Sequence, residues 1–185
     1  MSAAARSAGR LRDLASAATR FGRTALVVPV GWAEGVVEPW RRRYDDSAAA
    51  GMPAHVTVVY PFLRAREVDR SVDLALEETI RGIASFRFRL AGVGTFPGVV
   101  FLRPEPAEPF VELTRAVWER WPECPPYGGA HDEIVPHLTV ATRPPSDAIA
   151  ELEQQLPLEG RADEVWLMEP DRRGRWVRRR SFALG

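Results

Sequence analysis

The stretch of sequence that decides the fold covers residues 53–62 and reads Pro-Ala-His-Val-Thr-Val-Val-Tyr-Pro-Phe. Its central four residues have a counterpart at residues 137–140, which read His-Leu-Thr-Val. Both copies alternate polar and apolar side chains, and this alternation is the period of a half-buried β-strand. The His and the Thr of each copy therefore lie on one strand face, and the apolar residues lie on the other. We expect these two strands to pair and to organise the rest of the chain.

The segments around the two His strands follow each other in a repeated order. Apolar spacing predicts helices over residues 32–44, 69–84, 106–121 and 147–156. Strands are predicted over residues 24–30, 86–90, 99–102, 164–168 and 176–184, with a hairpin turn at residues 96–98. Each half of the chain thus contains a helix, a His strand, a second helix and two strands. The predicted fold is α+β, bilobal and pseudo-twofold, with two mostly antiparallel sheets forming a central cleft and helices outside.

The 185 residues are enough for one domain. Residues 1–23 are rich in Ala, Ser and Arg, contain Asp13 as their only acid, and lack the apolar run of a secretory signal. We interpret them as an N-terminal extension that is weakly amphipathic or disordered. Residues 24–185 are then a single bilobal domain. We expect the protein to be cytoplasmic and monomeric.

The composition excludes several function classes. The formal net charge is zero, so bulk electrostatics does not favour long nucleic acids or a membrane surface as partners. The chain contains no Lys, which excludes a Walker-type phosphate loop, and the single Cys124 excludes an internal disulfide. No stretch reaches the roughly 18 apolar residues of a membrane span. Arginines over residues 172–180 alternate within a hairpin, so some are solvated and others can line a cleft and attract an anionic substrate.

The two motifs resemble a known family. Pro-Ala-His-Val-Thr-Val-Val-Tyr-Pro-Phe from residue 53 and Val-Pro-His-Leu-Thr-Val-Ala from residue 135 are similar to the paired motifs of the 2H phosphoesterase superfamily. Within it they resemble the 2′-5′ RNA ligase and cyclic phosphodiesterase-like family most. The resemblance covers about residues 24–184 and includes the order of the elements. The family often has an Arg directly after the second motif, whereas here Thr142 comes before Arg143.

The residues themselves suit the reaction that this resemblance implies. Opening a 2′,3′-cyclic phosphate needs a base that activates water and an acid that protonates the departing ribose oxygen. An imidazole has a pKa of about 6.5 and can serve as either at neutral pH. By the resemblance, His55 donates the proton to the leaving oxygen and His137 accepts the proton from water. The hydroxyls of Thr57 and Thr139 can bind the phosphate oxygens.

Other residues are further candidates for the site. Tyr60 and Phe62 follow the first His strand and can stack on a base or pack in the core. Phe96, in a glycine-rich loop, can likewise stack on a base or serve the structure. Arg143 is a further candidate for substrate binding. His131 lacks a matching partner and is interpreted as a loop residue.

The sequence leaves three functions open. The first is metal-independent hydrolysis of a 2′,3′-cyclic phosphate at an RNA end or on a nucleotide, with 2′-5′ RNA ligation as the reverse reaction. The second is a non-catalytic protein that binds RNA or nucleotides in the same cleft. The third is cleavage of a small cyclic nucleotide or an ADP-ribose-type cyclic phosphate. No metal or cofactor is expected, because three His without a carboxylate cluster are a poor metal site.

Overall fold

A computed structural model describes residues 22–130, 133–143 and 147–185. Most of the predicted N-terminal extension, residues 1–21, and His131 lie outside the described residues. The strands are β1 (Ala25–Pro29), β2 (His55–Val59), β3 (Phe86–Phe96), β4 (Val99–Glu105), β5 (Leu138–Thr142), β6 (Leu158–Ala162), β7 (Glu164–Pro170) and β8 (Trp176–Ala183). The helices are α1 (Glu34–Tyr44), α2 (Asp46–Ala49), α3 (Arg70–Arg81), α4 (Glu108–Arg120) and α5 (Ala148–Glu153).

The strands form two antiparallel four-stranded sheets, in the orders β2-β1-β7-β8 and β5-β4-β3-β6. The predicted α+β class with two antiparallel sheets is therefore confirmed. The expectation that the two His strands pair is wrong in detail, since β2 pairs with β1 and β5 pairs with β4. Each His strand is instead an edge strand of its own sheet, and the two edges lie against each other. This contact joins the two halves of the molecule.

Two helices each pack against the His strand of the other sheet. Helix α1 precedes β2 in the chain but packs against β5, and α4 precedes β5 but packs against β2. Helix α3 packs against α4 and β8. Fully buried apolar side chains from both sheets and these helices form one continuous core, which includes Leu26, Val56, Leu76, Leu102, Leu113 and Leu138. The burial of this shared core fixes how the two His strands face each other.

Local sequence explains where the helices begin. Asp69 accepts hydrogen bonds from the backbone N–H groups of Ser71 and Val72, so it caps α3, which begins at Arg70 within the helix predicted over residues 69–84. Asp45 ends α1 and accepts a hydrogen bond from the N–H of Ser47, and α2 follows at once. This short helix brings the chain back to the start of β2.

Two parts of the second sheet differ from the prediction. Strand β6 was not predicted, because its sequence Leu-Glu-Gly-Arg-Ala lacks an apolar run; the indole of Trp32 lies where a Cβ on Gly160 would be. Strand β3 continues to Phe96 instead of ending at residue 90. Its glycines are compatible with a strand because side chains of β4 cover them. The guanidinium of Arg103 lies 2.7 Å from the position of a Cβ on Gly92, and the ring of Phe101 lies over Gly94.

Candidate active site

The His and Thr of each motif share one strand face, as the alternation predicts. In β2, Val56 and Val58 are buried in the main core, whereas His55 and Thr57 lie on the opposite face and are half-buried. In and before β5, Leu138 and Val140 are fully buried, while His137 and Thr139 keep part of their surface. Because β2 and β5 are neighbouring edges, each sheet contributes one imidazole and one hydroxyl to the place where the sheets meet.

Both imidazole rings are held in the same way. The Nδ1 atom of His55 lies 2.7 Å from the carbonyl oxygen of Pro53, and that of His137 lies 2.7 Å from the carbonyl oxygen of Val135. A carbonyl oxygen only accepts hydrogen bonds, so each Nδ1 carries a proton and donates it. The neutral ring then has its lone pair on Nε2, and the protonated ring has an N–H there. Each imidazole can therefore accept or donate a proton at Nε2 without changing its contact at Nδ1.

The surroundings of His55 disfavour its charged form. Burial lowers the pKa of His55 from 6.5 to about 4, and the guanidinium of Arg41 contributes to this lowering. The hydrogen bond to Pro53 and the carboxylate of Asp45 act in the opposite direction, and the imidazole of His137 adds a smaller lowering of this pKa. In the free protein at pH 7, His55 is therefore neutral, with a lone pair on Nε2.

This shift makes the stability of the fold depend on pH. The unfolded chain binds a proton at His55 below pH 6.5, whereas the folded chain binds it only below about pH 4. The free energy of unfolding is thus expected to fall as the pH decreases from 6.5 to 4, by at most ~3 kcal/mol from this group. Urea titrations across this range measure the fall. The non-titrating His55→Asn variant, whose amide can still donate to Pro53, should lose this part of the slope, and His137→Asn should retain it. An unchanged slope in His55→Asn would contradict the assignment.

A buried polar network holds the segment before His55. Arg41 is 2% exposed, and its guanidinium donates to the Asp45 carboxylate at 3.1 Å and to the carbonyl oxygen of Met52 at 3.0 Å. Glu34 accepts a hydrogen bond from the backbone N–H of Ala54 at 2.6 Å and lies 3.8 Å from Arg41. Two backbone groups within three residues of His55 are therefore fixed by charged side chains of α1. Arg41 belongs to the helix predicted over residues 32–44, and the structure buries its side chain in the interior.

Among the residues that the structure describes, three aromatic rings surround the imidazole of His137, and we call them the aromatic wall: Phe96, Phe101 and Tyr127. The centroids of the Phe96 and Phe101 rings lie 5.2 and 5.3 Å from that of His137. The ring of Tyr127 is stacked on the imidazole at 5.9 Å, with an angle of 19° between the planes. Phe96 and Phe101 also stack on each other at 4.3 Å. The aromatic wall limits the positions that the His137 ring can adopt and leaves an apolar surface beside it.

Sequence reasoning missed Phe101 and Tyr127. Phe101 lies opposite Thr139 in the ladder between β4 and β5, and this register cannot be read from either strand alone. Tyr127 belongs to the 3-10 segment Pro126–Gly129 and has a backbone φ of 53°, which is uncommon for a residue with a bulky side chain. Burial raises the pKa of Tyr127, so its hydroxyl stays protonated at neutral pH. Its position follows from the path of a Pro- and Gly-rich loop, for which the sequence offers no periodic signal.

The further candidates lie in different surroundings. Phe62 is fully buried and packs edge-to-face on Trp121, so it belongs to the core. Tyr60 is half-buried beside Trp176, at 5.8 Å between ring centroids. Phe96 lies beside His137, with 5.2 Å between the ring centroids. Arg143 is exposed after the end of β5, with a φ of 54°. The roles of Tyr60, Phe96 and Arg143 in substrate binding stay predictions.

Among the described residues, no group of three or more His, Cys, Asp or Glu side chains is arranged to hold a metal ion.

Cys124 is buried in the main core, and burial raises the pKa of its thiol to about 11. A thiol with this pKa is a weak nucleophile at neutral pH. Within residues 22–130, 133–143 and 147–185, no helix has the length and apolar character needed to cross a membrane.

Comparison with known proteins identifies relatives of this arrangement. The sequence model of the 2′-5′ RNA ligase superfamily matches residues 27–174. A search of functionally curated proteins finds no match.

Solved structures share the fold. E. coli LigT complexed with 3′-AMP has a TM-score of 0.56 and 19% sequence identity, and the match covers 88% of this chain and 98% of that one. LigT complexed with NADP⁺ matches with a TM-score of 0.55 and 19% identity, over 88% of this chain and 97% of that one. TT0787 of Thermus thermophilus matches with a TM-score of 0.56 and 21% identity, over 87% of this chain and 97% of that one. The two-sheet architecture is thus common to all three.

Proposed function

The chain belongs to the 2′-5′ RNA ligase superfamily, and from this premise we propose that it hydrolyses a 2′,3′-cyclic phosphate by two-histidine acid–base catalysis. The observation that carries the proposal is the matched pair of hydrogen bonds at Nδ1 of His55 and His137, which makes Nε2 the atom of each ring that exchanges a proton. An RNA end or a nucleotide is the proposed substrate. The nucleotides 3′-AMP and NADP⁺, which the structurally similar LigT of E. coli binds, support a nucleotide ligand.

The proposed step moves one proton at each imidazole. One histidine takes a proton from water as the water oxygen attacks phosphorus, and the bond between phosphorus and the 3′ oxygen breaks. The other histidine donates its Nε2 proton to that 3′ oxygen, so the products are a 2′-phosphate and a free 3′ hydroxyl. Thr57 and Thr139 donate hydrogen bonds to the non-bridging phosphate oxygens, whose negative charge these bonds stabilise. With the 5′ hydroxyl of a second RNA end in place of water, the same two proton transfers break the bond between phosphorus and the 3′ oxygen and join the ends through a 2′-5′ bond.

The pKa of His55 bears on which histidine donates a proton and which one accepts it. The family resemblance makes His55 the proton donor, but in the free protein its lowered pKa keeps it neutral at pH 7. To act as the donor it must therefore gain a proton when the anionic phosphate binds and raises its pKa. If it acts as the base instead, the free protein is already in the reactive protonation state.

The experiment that tests the proposal is a turnover assay in EDTA. The substrates are 2′,3′-cyclic mononucleotides and a short RNA that ends in a cyclic phosphate, and the product is identified as a 2′- or 3′-phosphate. We expect a 2′-phosphate to form at the same rate with and without EDTA, because protons and hydroxyls supply the whole chemistry. Loss of activity in EDTA that added metal restores would refute the metal-independent mechanism. Tight binding of the RNA without product at any pH would indicate a binding protein instead.

A further inference from the structure

The face of the first sheet that carries His55 and Thr57 continues across the neighbouring strands. Thr57 lies opposite Val27 of β1, and Val27 lies opposite Trp166 of β7. Directly paired residues point to the same side of a sheet, so the indole of Trp166 lies on the His55 face. Two residues further along β7, Met168 pairs with Arg178 of β8, which places Arg178 on this face as well.

Arg178 differs from the two arginines that follow it in what it contacts. Arg179 pairs with Glu169 at 2.9 Å, and Arg180 pairs with Asp73 and Glu77 on the opposite, helix-covered face. Arg178 makes no ion pair with any described residue. Its guanidinium carbon lies 4.4 Å from the centroid of the Trp166 ring. A guanidinium that stacks on an aromatic ring keeps its N–H donors at its edge, where they can form the fork that binds a phosphate.

The contacts of Trp166 favour a role for its ring face. Its side chain is half-buried, and its Nε1–H is buried without a hydrogen-bond acceptor among the described residues. The indole is therefore not held there by a polar contact of its N–H group. Its face supports Arg178 and limits the rotamers of that long side chain, which lowers the entropy lost when the guanidinium binds a ligand.

The spacing between this guanidinium and Thr57 corresponds to a second nucleotide. Arg178 belongs to β8, but its guanidinium lies over the ring of Trp166 in β7, and β7 is two strands away from β2. At about 4.8 Å per strand this is roughly 10 Å across the sheet. A phosphate bound at Thr57 and one bound at Arg178 would thus be separated on the scale of a nucleotide unit. We propose that Arg178, supported by Trp166, binds the phosphate that precedes the terminal nucleotide, and that the substrate is an RNA end of at least two nucleotides. This inference rests on the proposed function.

The test compares substrates that differ only in the upstream phosphate. The first is a 2′,3′-cyclic mononucleotide, the second is a dinucleotide that ends in the same cyclic nucleotide, and the third is this dinucleotide with an uncharged methylphosphonate linkage. We expect the unmodified protein to have a roughly 10–100-fold higher kcat/KM for the charged dinucleotide than for the other two, the range for one charge-assisted hydrogen bond. In Arg178→Ala the ratio of dinucleotide to mononucleotide kcat/KM should fall to near one, and Arg178→Lys should restore it only in part.

Arg172→Ala is the matched control, because it removes the same charge from the exposed turn of the same hairpin. It should leave the ratio unchanged. The inference is overturned if the unmodified protein does not prefer the charged dinucleotide, or if Arg172→Ala lowers the ratio as much as Arg178→Ala. Failure of the proposed function has a different signature, namely no turnover of any of the three substrates. In that case the affinities for the charged and uncharged dinucleotides, measured by calorimetry, decide whether Arg178 binds the phosphate.

Discussion

Replacing His55 or His137 by alanine is expected to lower kcat/KM for a 2′,3′-cyclic phosphate by about 10²–10⁴-fold, the usual contribution of a well-placed general acid or base. Each ring has its Nδ1 bound to a backbone carbonyl, so each substitution removes a fixed proton carrier at Nε2. The double variant should be only slightly slower than either single variant, because two groups that act in one transition state are not additive. Steady-state kinetics in EDTA, with a thermal melt to confirm folding, gives this comparison.

Asparagine variants are the sharper control for this prediction. The amide of Asn can donate to the same carbonyl as Nδ1 but has no titratable nitrogen in place of Nε2. His55→Asn and His137→Asn should therefore be folded and as slow as the alanine variants. Turnover at the normal rate in either one would contradict acid–base catalysis by that residue. It would leave the proposed hydrogen bonds from Thr57 and Thr139 to the phosphate as the main source of any rate enhancement.

The pH profile of kcat/KM separates the two directions of proton transfer, since it reports the ionisations of the free protein. If His55 is the base, kcat/KM rises with pH through about 4, where its imidazole becomes neutral. If His55 is the acid, kcat/KM declines with pH above about 4, because only its protonated fraction reacts. The two imidazoles influence each other, so each limb belongs to the pair. The Asn variants show which limb depends on which residue.

The sequence was informative where a short-range pattern determines the structure. Alternation in the two His motifs placed His55 and Thr57 on one face, and the duplicated order of elements predicted two antiparallel sheets. The helix predicted from residue 69 begins at Arg70 as α3, and Asp69 caps it. These features depend on residues that are close to each other in the chain. A single sequence is therefore enough to predict them.

Features that depend on register or on long-range packing could not be predicted in the same way. The glycines in β3 indicate a turn unless the side chains of Phe101 and Arg103 are known to cover them. Strand β6 lacks an apolar run and is defined by its pairing with β3. Tyr127 reaches His137 through the path of an irregular loop. In each case a residue distant in the chain decides the outcome.

Arg41 is a case in which a signal was present in the sequence. Val37 and Arg41 are four residues apart in α1, and both are buried, so they share the face of the helix that points inward. Arg42, the next residue, has a side chain that is 76% exposed and lies 3.7 Å from Glu38. The three consecutive arginines look alike in sequence, but the helical period separates them.

Arg41→Met is expected to lower the free energy of unfolding by about 3–5 kcal/mol, because it leaves the buried carboxylate of Asp45 without its partner. The double variant Arg41→Met/Asp45→Asn removes both charges and should recover part of this loss, and a double-mutant cycle gives the coupling between them. Arg42→Met is the matched control and should change stability by no more than ~0.5 kcal/mol. Urea denaturation measures the free energy of unfolding of each protein. A pH of about 7.5, one unit above the usual pKa of His, keeps His55 neutral in both the folded and the unfolded state. Equal effects of the Arg41 and Arg42 substitutions would refute the structural role of the buried pair.

The same substitution connects stability with the site. Arg41 holds the carbonyl of Met52, and Glu34 beside it holds the N–H of Ala54, so together they fix the backbone that leads into His55. Its positive charge also lowers the pKa of His55. Arg41→Met should therefore raise the pH at which His55 titrates, in addition to destabilising the fold. The pKa should rise because the Asp45 carboxylate then acts on the imidazole without an opposing cation. A purely structural role of Arg41 would leave the titration of His55 unchanged. ¹H–¹⁵N NMR of the His55 ring in the folded variant distinguishes the two roles.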